Sequence, residues 1–281
     1  MPKIHNKQLN FFVNKIIIPG IIGICAVIIF FYATNFTLTT YQTWNTTCLE
    51  YQNSVKWYVN KDLNIKSKDL FHVLNSCMDT LCKMGIDTSE LGQIKIIFAA
   101  NDKDYQWKVF FCNEAELGKS FTNNTLVLRP SDFAGNKLIN RIKDSTYTYQ
   151  LDLVISHELV HCITKDKLGF FRFIYHNIRN PWKNEGIAEH IAGRSSLKTE
   201  DGFKEFFAIN DKNSLIQTDK RLSVQYFYFL SRLKTDYLLS KGISWNEFFK
   251  NNYDEQELEE KIKQELKDST YTYPTRKPIR F

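Results

Sequence analysis

The sequence predicts an α+β protein: a small, mostly antiparallel sheet, a helical half after it, and one membrane-spanning helix in front of both. Three observations carry this. Residues 93–100 (QIKIIFAA) form a short apolar run rich in β-branched residues, as a buried strand requires. Residues 151–168 and 219–239 repeat apolar side chains at helical spacing over lengths that strands seldom reach. Residues 16–33 (IIIPGIIGICAVIIFFYA) carry no charge, and their length is near the lower limit for crossing a bilayer.

The N-terminal run sets an expected topology. Lys3, Lys7 and Lys15 precede it, and no acidic residue occurs before Glu50. Positive charge stays on the cytoplasmic side, so residues 1–15 are expected in the cytoplasm and everything after Ala33 outside. A cleaved signal peptide is the competing reading. No A-x-A cleavage site is evident, and Ile24 stands where a lipobox before Cys25 needs a small residue. The expected organisation is a cytoplasmic N-terminus (1–15), a signal-anchor (16–33), a polar lead-in (34–60) and one domain (61–281).

Within that domain Ser67 is expected to cap a helix whose Leu70, Leu74, Cys77 and Leu81 share one stripe, with Gly85 ending it. After the strand at 93–100, Asn101 caps a short helix through Cys112. Phe121-Thr122 and 125–129 flank Asn123-Asn124, a hairpin signature. Residues 169–180 (GFFRFIYHNIRN) are an aromatic loop or short helix, read first as core packing and second as a cleft wall. The 219–239 helix puts Tyr226, Leu230, Leu233 and Tyr237 on one stripe. Ser244 with Glu247 forms a capping box for the next helix, 254–267 is charged and amphipathic, and the basic tail 274–281 is expected to be loose. KDSTYTY occurs twice, at 143–149 and 267–273; nothing in its chemistry explains the repetition.

Composition narrows the partners. The net charge of +6 is spread along the chain, and no dense basic patch interleaved with aromatics marks a nucleic-acid surface. Of six cysteines, Cys25 lies in the apolar run; Cys48, Cys77, Cys82, Cys112 and Cys162 fall beyond it, where disulfides persist. Cys77 and Cys82 are five apart on one helix and cannot bond each other. Pairs involving Cys48 and Cys112 remain open. Cys162 follows His161 by one helical step, about 100° around, and is read as a buried structural thiol.

The chemistry concentrates in His157-Glu158-Leu159-Val160-His161. On a helix the two imidazoles lie one turn apart on one face, where both reach one ion. Glu158 follows the first histidine, close enough to take a proton from a water beside that ion. A chance match of this pattern in a chain of this length is expected about 1% of the time at ordinary residue frequencies. A catalytic zinc takes three protein ligands and leaves one position open. A third ligand is sought in 181–190, PWKNEGIAEH.

Together the two motifs resemble the gluzincin metallopeptidases, the thermolysin and aminopeptidase-N-like group, which carry HExxH on one helix and N-E-G-x-A or N-E-x-x-x-D on a second. The resemblance is tight over 156–190 and looser over 93–250. It implies a zincin-like fold with the metal between sheet and helices, Zn²⁺ held by His157, His161 and Glu185, and Glu158 as general base and then acid. It further implies Glu189 orienting a histidine, and a peptide or protein substrate paired with a sheet edge, for which 125–129 fits the order. A tyrosine or histidine on a later helix would stabilise the oxyanion. Tyr226 fits best, with Tyr237, Tyr228, His190 and His176 as rivals. The gap from His161 to Glu185 is longer than in the aminopeptidases, and Glu189 stands where thermolysin has Asp. The expected function is a membrane-anchored zinc metallopeptidase. The alternatives are a catalytically degenerate interaction protein and a cell-wall amide hydrolase.

Overall fold

The computed structural model describes residues 29–30, 33–34, 36–51, 55–61, 63, 65–91, 94–110, 117–121, 124–139, 149–193, 220–267 and 278–279. Most of the expected span, Cys25, Cys112 and most of both KDSTYTY copies lie outside them. The chain forms two units, Met1–Trp44 and Asn45–Phe281. Residues 29–30, 33–34 and 36–42 of the first are helical. No helix among the described residues is long and apolar enough to cross a membrane.

The second unit is a mixed sheet joined to a helical half. Its five-stranded sheet contains β1 (Thr46–Tyr51), β2 (Val55–Asn60), β3 (Ile94–Phe98), β4 (Gly118–Ser120) and β5 (Thr125–Leu128), in the order β1-β2-β3-β5-β4. The sheet begins inside the stretch expected to be a lead-in: 46–60 supplies an antiparallel pair with Thr46 opposite Asn60. The two central pairs, β2–β3 and β3–β5, are parallel, which corrects the expectation of a mostly antiparallel sheet. The reason lies in the connections. Helix α1 (Ser67–Lys83) carries the chain from β2 to β3, and α2 (Asp102–Val109) lies between β3 and the β4–β5 hairpin. A crossover of that length returns the chain in the same direction. Only β4, paired with β5 around the expected turn, runs antiparallel at that end.

Strand β3 is apolar at every position but the half-buried Lys95, because both of its faces are covered. Ile94, Ile96 and Phe98 join Trp57, Leu126 and Leu128 in the main core, while Ile97 packs with Val127, Tyr105 and Val109 under α2. Asn101 caps α2 as expected, accepting from the Asp104 N–H at 3.0 Å. Helix α1 buries Leu70, Val73, Leu74, Cys77 and Leu81. Its cap position is Lys66, so Ser67 is the first helical residue rather than the cap. Gly85, at φ +85°, ends the turn and admits the tail: a Cβ there would stand 2.6 Å from the Ile279 carbonyl oxygen. Ile279 is buried and its N–H donates to Met84 O at 2.9 Å, so this part of the tail is docked rather than loose.

A small hairpin, β6 (Ser131–Asp132) and β7 (Lys137–Leu138), leads toward α3 (Leu151–Leu168). The helical half continues with α4 (Phe170–Arg179), α5 (Pro181–Ala192), α6 (Lys220–Ser240), α7 (Trp245–Lys250) and α8 (Glu255–Lys267). The Ser244–Glu247 capping box forms in full. Leu258 and Ile262 turn the apolar face of α8 inward.

Gly186 sets how closely α5 and α6 pack. A Cβ on it would lie 2.2 Å from Thr235 Oγ1 and 2.3 Å from the Ser231 carbonyl oxygen. The room it leaves is used by α6, not by the helix carrying the histidines. Because one clash is with backbone, Gly186→Ala is expected to cost about 1–3 kcal/mol through overpacking. Urea unfolding checks this, as a lower midpoint with an unchanged slope.

Candidate metal centre

Helix α3 is buried on nearly all sides from Leu151 to Lys165, His157 (2% exposed), Glu158 (9%) and His161 (9%) included. It packs against α1, α5 and β4. Its first turn is anchored by polar contacts: Ser76 Oγ donates to Asp152 Oδ2 at 2.5 Å, and the Asp152 N–H donates to Asn136 Oδ1 at 3.0 Å. One turn on, Ser156 Oγ lies 3.2 Å from Cys77 Sγ. These bonds fix the rotation of α3, and with it the direction of both imidazoles.

The side chains then converge. His157 Nε2 and His161 Nε2 are 3.2 Å apart. Glu185 Oε2, brought in by α5, lies 3.2 Å from the first and 3.5 Å from the second. Among the described residues these three form the group able to hold a metal ion. Donors at about 2.0–2.1 Å around a tetrahedral ion such as zinc are separated from one another by about 3.3–3.4 Å. The observed triangle matches one face of that tetrahedron. The side chain of Glu185 is 24% exposed, which leaves a solvent-facing side.

Glu189, one turn after Glu185, holds the other edge of the first ring: its Oε1 is 3.0 Å from His157 Nδ1. A ring N–H donated to that carboxylate leaves Nε2 as a lone pair aimed at the triangle. His157 Nε2 and Glu185 Oε2 then face one another as two acceptors, an arrangement that repels unless a cation or a shared proton stands between them. In the shared-proton case burial by itself would raise the Glu185 pKa, but the charge of His161 and the hydrogen bonds that both protonated imidazoles then donate outweigh it. They hold the carboxyl well below the usual carboxylate range.

Glu158 sits against the sheet. A Cβ on Gly118 would lie 3.3 Å from Glu158 Cγ, so the glycine that opens β4 is what lets this strand approach. Gly118 has no sequence signature of its own. The strand beside the helix is therefore β4, at the end of the strand order, whereas in the expected stretch 125–129 residues Thr125–Leu128 form the interior strand β5, bonded on both sides. Arg129 is taken up by Asp102 at 2.9 Å and the Tyr105 ring.

The candidates for oxyanion donor separate by their neighbours. Tyr226 is half-buried beside Glu259, and burial and that charge both raise its pKa. Tyr237 donates to Glu265 Oε1 at 2.7 Å. His176 meets the Phe249 ring, and His190 Nδ1 is bonded to the buried Asp236. Tyr228 is the rival that reaches the site, with its ring edge-on to His157 at 5.9 Å between centroids. Cys162 is buried, and burial pushes its thiol up to about 12, so it is inert packing. Cys48, Cys77 and Cys82 are free thiols.

No family model matches the sequence, and no curated protein matches it.

Proposed function

We propose that this protein is a zinc-dependent metallopeptidase of gluzincin type, anchored in a membrane by residues 16–33 with its second unit facing away from the cytoplasm. The observation that carries the reading is the triangle of His157 Nε2, His161 Nε2 and Glu185 Oε2, with edges of 3.2, 3.2 and 3.5 Å. Zinc held there would polarise the scissile carbonyl and lower the pKa of water to about 7. The chain's own residues supply the rest. Glu189 keeps His157 in the ligating tautomer. Glu158 takes the proton from the attacking water and passes it to the leaving nitrogen. The outer edge of β4 offers backbone groups to an extended peptide.

Tyr228 is assigned as the oxyanion donor in place of Tyr226. Tyr228→Phe is expected to lower kcat by about 10²–10³-fold with little change in KM, the usual cost of one lost donor. Tyr226→Phe should leave both near the parent values. Steady-state kinetics on one peptide, run for both variants, decides between them.

The function itself is tested by incubating the purified full chain with a diverse peptide library, with and without a chelator. Chelator-sensitive cleavage restored by added zinc is the expected result. Stoichiometric zinc without cleavage of any peptide would leave a metal-stabilised interaction protein as the better description.

A further inference from the structure

Helix α4 joins the two metal-bearing helices and packs against both, yet it turns its most apolar side to solvent. Phe171 is 86% exposed, Ile178 73% and Tyr175 58%, with Phe170 and Ile174 more than a third exposed. These positions, i, i+3, i+4 and i+7 from Phe171 with Phe170 beside them, make one continuous stripe. The opposite side is spent on the fold: His176 is buried against Phe249. The stripe is thus not surplus core, and the expectation of ordinary core packing for 169–180 fails on it.

We propose that α4 lies flat on an anionic bilayer surface, with this stripe among the lipid headgroups and upper acyl chains. Charge selects that occupant. The helix FFRFIYHNIR contains no acidic residue, and its exposed Arg172 and Arg179 lie one above the other along the border of the stripe. Aromatic and aliphatic side chains flanked by arginines are the composition that partitions into an anionic interface. A second copy of the chain fits less well, because face-to-face stripes would bring like charges together. The sequence adds a second indication: the uncharged run 16–33 is long enough to hold the same chain at a bilayer. Because α4 is continuous with both metal-bearing helices, this contact would keep the site at the membrane surface. The contact requires no metal.

The test uses the full chain carrying Phe171→Trp, reconstituted in vesicles of zwitterionic lipid alone or mixed with brominated phosphatidylglycerol. The parent chain, with its native tryptophans, serves as the baseline. The expected result is additional tryptophan quenching in the anionic vesicles. It should fall to the baseline in about 1 M salt, where screening shortens to about 3 Å, or when Arg172→Glu and Arg179→Glu are added. Both arginines are exposed, so the charge variant retains the fold, and an unchanged circular dichroism spectrum verifies it. A residue 171 that stays unquenched in anionic vesicles overturns the proposal. So does a tryptophan shift that grows with protein concentration in lipid-free detergent, which would assign the stripe to a second copy.

Discussion

Glu158→Gln is expected to retain one zinc per chain while peptide hydrolysis falls by about 10²–10⁴-fold, the usual consequence of losing a general base. The two outcomes separate because Glu158 is not one of the three converging side chains. It lies one helical step from His157, about 100° around the axis, and its methylene packs under Gly118 rather than into the triangle. Glutamine keeps the shape and the packing but cannot accept the proton of the attacking water. Elemental analysis of the purified variant beside its turnover number checks both halves. A zinc-loaded variant with parental turnover would remove Glu158 from the mechanism.

A second large effect distinguishes the two glutamates of α5. Glu185→Gln is expected to abolish zinc retention almost completely, since Oε2 is the third corner of the triangle at 3.2 and 3.5 Å from the imidazole nitrogens. Glu189→Gln is expected to weaken zinc binding by about 10–100-fold, as loss of an orienting partner does. It contacts His157 Nδ1 from outside the triangle, and glutamine can still accept a weaker hydrogen bond there. Bound zinc per folded molecule, measured at equal buffered free zinc, gives the order. If the Glu189 variant loses its metal and the Glu185 variant keeps it, the assignment of the two carboxylates is reversed.

The features readable in the sequence are those set by short-range geometry. His157 and His161 face one way because they are four apart on a helix, and Glu185 and Glu189 align for the same reason. The caps at Asn101 and Ser244, the stripe of α1 and the apolar run of β3 are local patterns that the fold retains. Helix α3 departs from the simple pattern. Apolar spacing predicts one buried face, whereas α3 is enclosed almost all round, and its polar residues are buried because they build the site and its anchors.

The amino-acid sequence by itself determined that His157 and His161 share one face of a helix and that Glu185 and Glu189 share one face of another, whereas the packing of α3 against α5 decided that the two faces meet. Tertiary structure alone decided which strand borders Glu158, which tyrosine meets His157 and what Gly186 makes room for. Those outcomes depend on contacts between residues far apart in the chain, where strand order and helix rotation are set by the summed packing of the core. Gly118 shows the difference plainly. In sequence it is one glycine among eleven, and its meaning comes only from the Glu158 side chain 40 positions later, which no local pattern specifies.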